Sequence, residues 1–497
     1  MSTFLLDRIF LKVDSGYIGN KFHHHERIKN MSSVSLKKTQ ENHLSERTPV
    51  EQFGEDIRNI YKSLMSQLGE KDLKHMQKMK KLSWRLHNIG RHKIAEAKNI
   101  STWLSGIKML SGHFCMEFAN GHMILHGCYD NLPGSDIRSS EHRWNSSMLE
   151  EDWIVAHNVY HHSETNIIGK DHDFGFLLFR INERQEWFVH HLFQVPLILI
   201  GLPLNLTAFM SWYISTARKE SEKQKERKPF PNLKWLEKVF QMYKENYLDY
   251  PLKSGLNFFS TLVGNYLAKL SADTIFVFMI AVEHLNDNLA SFTEAPGTTE
   301  GEFYLQQILS TLNYYVDERF EDIFLGGINI HMEHHLFPDL PPNRLRESSY
   351  LVREVCEKYG VPYKSETWLN SIIELIGTGA KYSFPFFKYK DHKQKEIWKK
   401  MTERTSTSGL RLIKNNLTEY KLELRNSGKT VKANGSNTIL ESLEKTGMNP
   451  AYGCRKGVCR KCSVKKLSGK TSLEGDAVQT HVKICVAKPE SDLQLVL

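Results

Sequence analysis

The chain has 497 residues, a formal charge of +9 with 25% of its residues charged, and a mean hydropathy of −0.44. That length exceeds one compact core and implies two or three structural units, while the low hydropathy excludes a mostly lipid-embedded chain and confines lipid contact to a few segments. The 66 Lys and Arg are interspersed with 57 acids rather than gathered on one motif, which argues against a nucleic-acid partner and suits a membrane surface.

Residues 1–50 are polar and rich in Ser, Lys and His, and read as a flexible leader. The run His23, His24, His25 fans out on any backbone and is read as solvated surface rather than a metal site. Charges at Asp7, Arg8 and Lys12 break the first apolar run, so a secretory signal is not expected. From 51 to 100, Ile57, Ile60, Leu64 and Leu68 recur at helical spacing and predict amphipathic helices on a core or on the bilayer interface.

Two stretches have membrane length, near 187–214 and 256–284, and a third near 103–125 is weak because it holds Lys108, His113, Glu117 and Asn120. Buried helices of a soluble protein are the alternative reading for all three. Lys269 and Asp273, four apart, can pair on one helical face. If both strong stretches crossed fully, the basic connection 215–255 would lie opposite the histidine-bearing loops, against the positive-inside tendency. One stretch is therefore read as a shallow hairpin turning at Gly201, Leu202 and Pro203, and the number of crossings is open. Residues 383–417 shift from aromatic to basic to Ser/Thr-rich and read as a linker. From 418 onward, YKLELRNSGKTVKAN predicts two strands around a Ser-Gly turn, and TILESLEKTG predicts a short helix.

Three histidine clusters lie in the region 51–382: His122 and His126 in GHMILHGCYD, His157, His161 and His162 in AHNVYHHSETN, and His331, His334 and His335 in IHMEHHLFPDLP. Imidazoles three or four residues apart share a helical face, so each cluster can aim two or more ring nitrogens at one point. Eight neutral nitrogen ligands suffice for two first-row metals with positions left for oxygen or water, and overfill a zinc site of three or four ligands. His284, ending the second strong apolar stretch, is a candidate ninth ligand. His113 faces away from His122 and is read as structural, while His190 and His191 lack a partner at turn spacing and are read as interfacial.

Seven cysteines, with Cys115, Cys128 and Cys356 scattered, do not form a disulfide framework and favour a reducing, cytosolic face. Cys454, Cys459 and Cys462 in YGCRKGVCRKCSV have C-x4-C-x2-C spacing, and Cys485 follows, which is the plant-type [2Fe–2S] pattern. Gly453 and Gly457 permit close backbone approach to such a cluster. A one-electron carrier beside a histidine-rich site favours redox iron over zinc, which needs no electrons. No Gly-rich dinucleotide motif opens a helix, so NAD(P)H and a flavin are expected on a separate reductase.

On these motifs the region from about 100 to 365 resembles the membrane-bound fatty acyl desaturases, closest to bacterial stearoyl and linoleoyl types. The tail from 418 resembles plant-type ferredoxin domains. The segment between Cys462 and Cys485 is short for that family, which implies a trimmed loop and an altered docking surface. The resemblance implies a mainly α, membrane-associated di-iron domain followed by an α+β β-grasp domain. It carries over as iron ligands His122, His126, His157, His161, His162, His331, His334 and His335, with His284 matching an extra histidine less closely. It further implies an O2-dependent desaturase of acyl-CoA or acyl-lipid, with both metal centres on the cytoplasmic face of a membrane. A mid-chain methylene has no acidic proton and no leaving group, so acid–base or nucleophilic side chains alone cannot act on it. A hydroxylase or epoxidase on the same scaffold is the nearest alternative, and a non-catalytic redox carrier or metal sensor a more distant one. Asp130, Asp171, Asp173 and Glu333 are candidates to orient the imidazoles, with surface or capping roles open for each.

Overall fold

Helix α1 (Pro49–Ser66) starts at a capping box in which Thr48 and Glu51 satisfy each other's backbone N–H, and it buries Val50, Phe53, Ile57 and Leu64 along one stripe. The computed structural model describes residues 47–497 except 172, 176–177, 202–205, 218–232, 317–319, 387–391, 404–418, 436, 453–460 and 473–479. The polar leader and the His23–His25 run lie outside the described residues.

Helices α2 (Glu70–Ala95) and α3 (Ile100–Leu125) form a hairpin whose close approach depends on two glycines. A Cβ on Gly90 would lie 2.8 Å from the Leu110 backbone nitrogen, and one on Gly106 would lie 2.9 Å from that of Ile94. The chain then passes a short helix, α4 (Glu150–Trp153), which continues as a π-helix over Ile154–His161.

The stretch expected near 187–214 contains two separate helices, Gln194–Gly201 and Leu206–Ala217; Leu202 and Pro203 of the expected turn lie outside the described residues. The stretch expected near 256–284 is α5 (Phe258–His284). With its lead-in, Gly255–His284 is the one helix among the described residues long and apolar enough to cross a membrane. Helix α5 packs on the hairpin, where Ser111 Oγ donates to Ala268 O at 2.8 Å, and Lys269 and Asp273 form the expected pair. Helix α3, by contrast, is largely buried from Leu110 onward, where Ser111 and His113 meet protein partners.

Helix α6 (Glu300–Ser310) packs against α1. Strand β1 (Asn313–Tyr315) pairs in parallel with β2 (Ser365–Thr367), flanking α7 (His331–Leu336) and α8 (Pro342–Tyr359) in sequence, and α9 (Trp368–Tyr382) follows. Three apolar cores result, one of them between α2, α3 and α5, and the histidine-bearing elements join the other two. Met123, Ile124 and Leu336 sit in the first core, while Leu125, Ala156 and Ile328 sit in the second. Inside the segment read as a linker, residues His392–Thr402 form a helix. Ile397, Trp398 and Met401 dock on the first core and explain why the chain is ordered there.

The C-terminal region is a five-stranded mixed sheet in the order β4-β3-β7-β5-β6. β3 (Glu419–Leu424) and β4 (Lys429–Asn434) form an antiparallel hairpin with Leu422 opposite Val431, turning at Gly428 with φ +64°. β7 (Leu493–Leu495) runs parallel to β3, and β5 (Ser463–Ser468) is antiparallel to both β7 and β6 (His481–Lys483). Helix α10 (Ile439–Glu444), capped by Thr438, lays Ile439 and Leu443 on a core of Leu422, Leu493 and Leu495. The chain is thus mainly α, with an α+β end of β-grasp type.

Candidate metal centre

Four separated stretches deliver nine histidines to one place. Helix α3 ends at His126 because Gly127 adopts φ +73°, leaving His122 and His126 on its last turn. Between Ile154 and His161 the chain takes a π-helical turn, and the His162 N–H bonds to His157 O, five residues back. That turn sets the His157 and His162 rings edge to face, with their Nε2 atoms 3.2 Å apart, and leaves the His161 Nε2 for a different neighbour. His284 ends α5, and α7 carries His331, His334 and His335.

The ring nitrogens sort into two groups, each with ligand atoms within 4.8 Å of one another: His122, His126, His157, His162 and His334, and His161, His284, His331 and His335. Within the first group His122 Nε2 lies 2.9 Å from His157 Nε2 and 3.1 Å from His126 Nε2. In the second, His284 Nε2 lies 3.1 Å from His161 Nε2 and 2.6 Å from His331 Nε2. All nine residues are buried. Both ring nitrogens of His334 and Nε2 of His335 lack a protein partner, a costly state unless something fills the space between them. Two cations would satisfy these atoms, and groups of five and four imidazoles fit iron-type ions with oxygen positions to spare.

Burial pushes the pKa of His157, His162, His331, His334 and His335 well below the usual imidazole value, which keeps them neutral and able to ligate. His161 differs. Burial lowers its pKa too, but the charges of Asp171 and Asp173 and the Asp171 hydrogen bond outweigh that and raise it. Its Nδ1–H donates to both Asp171 oxygens at 3.0 and 3.1 Å, which turns Nε2 toward His284. Asp171 also accepts from the Asn166 and Asp173 backbone N–H groups at 2.8 and 2.9 Å. Asp173 Oδ2 lies 3.4 Å from His157 Nδ1, and burial raises the Asp173 pKa to about 7.

The other two acids expected to orient the rings do different work. Asp130 accepts from Ser139 N at 2.7 Å and Ser139 Oγ at 2.6 Å, fixing the loop after α3. Glu333 accepts from Asn313 Nδ2 at 2.7 Å and Tyr363 Oη at 2.9 Å, and burial raises its pKa to about 7 despite those bonds.

Residues that sequence reasoning did not single out take the remaining contacts. Gln307 Oε1 accepts from His335 Nδ1 at 2.9 Å, and Glu283 Oε2 lies 3.0 Å from His331 Nδ1, near but not aligned as a hydrogen bond. Asn166, at φ +54°, is locked by its amide on the carbonyls of Ala290 and Ser310, both at 3.0 Å. An acid directly before His284 at the end of an apolar run was a usable signal; Gln307 offered none. As expected, His113 sits apart, bonded to Ser83 Oγ at 2.9 Å and packed on His87. His190 is exposed, while His191 is buried and accepts the Phe188 N–H at 2.9 Å, a local cap rather than an interfacial role.

At the other end of the chain, Cys462 and Cys485 bring their sulfurs to 3.0 Å, both buried, with Ile484 N–H bonded to Cys462 O. Cys454, Cys459, Gly453 and Gly457 lie outside the described residues.

Residues 101–367 match the family described as fatty acid desaturase, and residues 422–490 match the one described as 2Fe-2S iron-sulfur cluster binding domain. The chain belongs to the fatty acid desaturase family. This desaturase is similar to an NADPH-dependent stearoyl-CoA 9-desaturase of Mycobacterium tuberculosis, 29% identical over 349 residues, or 68% of this chain and 80% of the relative. It is also similar to an sn-1 linoleoyl-lipid 6-desaturase of Synechocystis, 26% identical over 43% of this chain and 61% of that one. Among solved structures it matches pectocin M2 at 26% identity over 16% of this chain and 32% of that chain, with a TM-score of 0.15. The desaturase is therefore an oxidoreductase that carries its own ferredoxin-type electron-transfer domain.

Proposed function

We propose that this desaturase introduces a C=C double bond into a fatty acyl chain in an O2-dependent reaction at two iron ions. His122, His126, His157, His162 and His334 hold one ion, and His161, His284, His331 and His335 hold the other. The carrying observation is the convergence of nine buried imidazoles into two groups, with both ring nitrogens of His334 and Nε2 of His335 lacking a protein partner. When bound, such an iron pair supplies with O2 the oxidising power to remove hydrogen from unactivated methylenes.

The balance fixes what else is needed. Removing two hydrogens from the acyl chain and reducing O2 to two waters calls for two further electrons and two protons. The electrons are delivered singly by a [2Fe–2S] cluster on Cys454, Cys459, Cys462 and Cys485, which is refilled by a separate NAD(P)H-dependent flavin reductase. That a relative is NADPH-dependent supports this arrangement. Asp171 keeps the proton on His161 Nδ1, so that Nε2 is free to ligate.

An apolar substrate is supported by the small, largely apolar cavity between α3 and α5, lined by Phe114, Phe118, Trp144, Met148, Phe276 and Met279 together with Glu117 and the Lys269–Asp273 pair. One of its lining residues, Phe118, stacks its ring 6.1 Å from that of His122. The relatives' substrates point to acyl-CoA or acyl-lipid as the carrier. Exposed Leu256, Phe259 and Val263 on and before α5, with Ile100 and Leu104 on α3, favour contact with membrane lipid. The metal centres then face the cytoplasm. We assign residues 51–382 to the catalytic unit, with the helix His392–Thr402 docked on it, and 418–497 to the donor domain.

Mass spectrometry of acyl chains from a host expressing the full chain tests the reading. New double bonds are expected. Hydroxylated or epoxidised chains in their place would assign the scaffold to oxygen insertion instead.

A further inference from the structure

The donor domain touches the catalytic unit at a buried ion pair whose two members each lie a few residues from one of the proposed metal-binding motifs. Lys483, the last residue of β6 and two before Cys485, places Nζ 2.6 Å from Asp339 Oδ2. Asp339 follows His335 by four residues, on the turn Phe337–Leu340 that leads out of α7. The side chains are only 17% and 7% exposed, so both charges are largely withdrawn from water. An exposed pair would contribute little, whereas a desolvated one enforces register, because losing either partner strands a buried charge.

The surroundings of the pair belong to the histidine site. Tyr61 Oη donates to both Asp339 oxygens at 3.1 Å, and its ring stacks on Phe337 with centroids 5.6 Å apart. The Lys483 ammonium lies 6.0 Å from the Tyr61 ring. From the other side Cys128, two residues past His126, directs its thiol at the carbonyls of Pro338 and Leu340, at 3.7 and 3.5 Å. Phe337 and Leu340 are fully buried. The turn is thus held by Cys128, two residues past His126, and by Tyr61, and Lys483, two residues before Cys485, pairs with Asp339 on it.

We infer that the Lys483–Asp339 pair, seated on Tyr61 and Phe337, is the docking junction through which the donor domain passes electrons to the iron site. Both are positioning residues. Each transfer oxidises the reduced cluster by one electron and reduces one ferric ion to ferrous, and two transfers serve one double bond. Electron transfer slows steeply with separation, so a pair that fixes the cluster-bearing strand on the turn beside His335 controls the rate without touching substrate. This rests on the electron relay proposed above.

The test uses the full-length, metal-loaded protein with Lys483→Glu, Asp339→Lys and the combined exchange. In the wild type, carbodiimide is expected to join the peptides containing Lys483 and Asp339 in an amide seen by mass spectrometry. In stopped flow, reduction of the cluster by reductase is expected to be unchanged in all variants. Reoxidation of the reduced cluster on mixing with acyl substrate and O2 is expected to slow by about tenfold or more in each single variant and to recover in the exchange. Absence of the wild-type crosslink, or wild-type reoxidation rates in both single variants, would overturn the junction. A wild-type cluster whose reoxidation is indifferent to acyl substrate would instead overturn the relay itself.

Discussion

The two metal-binding regions of this chain are built in opposite ways. The nine histidines come from stretches between His122 and His335 and meet only because α3, the π-helical turn, α5 and α7 converge. Three of the four cysteines fall between Cys454 and Cys462, where one loop can wrap a cluster, and the fourth follows β6 in the same small sheet. A site made by tertiary convergence depends on every element that supplies it, while a site made by local spacing depends mainly on its own loop. The two centres should therefore fail separately.

The largest effects test that separation. His334→Ala removes a ligand with two unpartnered buried nitrogens, and product formation is expected to fall by more than about 100-fold, with the iron–sulfur absorbance retained. Cys459→Ser is expected to do the reverse, losing the cluster and all reductase-driven turnover while the histidine-bound iron remains on analysis. If either variant emptied both sites, the two regions would be one cooperative unit and the contrast would be wrong.

Asp171→Asn should give a smaller loss, about 10- to 100-fold in activity or iron affinity, because the ligand stays and only the carboxylate orienting it goes. Product assays and iron analysis at graded iron concentrations separate the two readings of that loss. Smaller again is Phe276→Ala, which opens the apolar cavity by one ring. Turnover with the preferred chain is expected to fall a few-fold, on the order of 1 kcal/mol, while bulkier or longer chains gain in a competition assay.

How much of this was written in the sequence follows the same division. Spacing identified the histidine boxes, because i, i+4 pairs such as His122 and His126 share a helical face whatever the fold. It did not reveal that His157 groups with His162 and that His161 joins the other set, since that division comes from a π-helical turn. Gln307 and Asn166 act across 28 and 144 residues of sequence with nothing local to mark them, whereas Glu283 was marked by its place before His284. The stretch 103–125 reads as a poor membrane segment with a buried helix as its alternative, and α3 packs against α2 and α5 with His113 bonded to Ser83 of α2. Residues 383–417 read as linker because they are basic, although Trp398 and Met401 anchor a helix to the core.

An effect on stability, with turnover left aside, concerns what holds the helical region together away from both proposed metal sites. Asp72, fully buried near the start of α2, accepts from Arg344 Nε at 2.7 Å, Asn343 Nδ2 at 2.6 Å and Gly69 N at 2.9 Å, tying the first hairpin to α8. Burial alone would raise its pKa, but Arg344, Asn343 and the Gly69 N–H outweigh burial and hold it below the ordinary value of 3.8. A group whose folded pKa is depressed leaves the unfolded chain binding more protons as pH falls. Its stabilisation is therefore complete above about pH 5 and is lost as pH drops below about 4. Arg344→Met leaves the carboxylate buried with its neutral partners only, and is expected to cost about 1–3 kcal/mol near pH 7. With burial less opposed, the carboxyl of that variant titrates higher, so its stability should bend with pH closer to neutrality than that of the wild type. Thermal unfolding in detergent from pH 3 to 7 reads both the offset and the shifted bend, and parallel curves for the two proteins would remove Asp72 from the account.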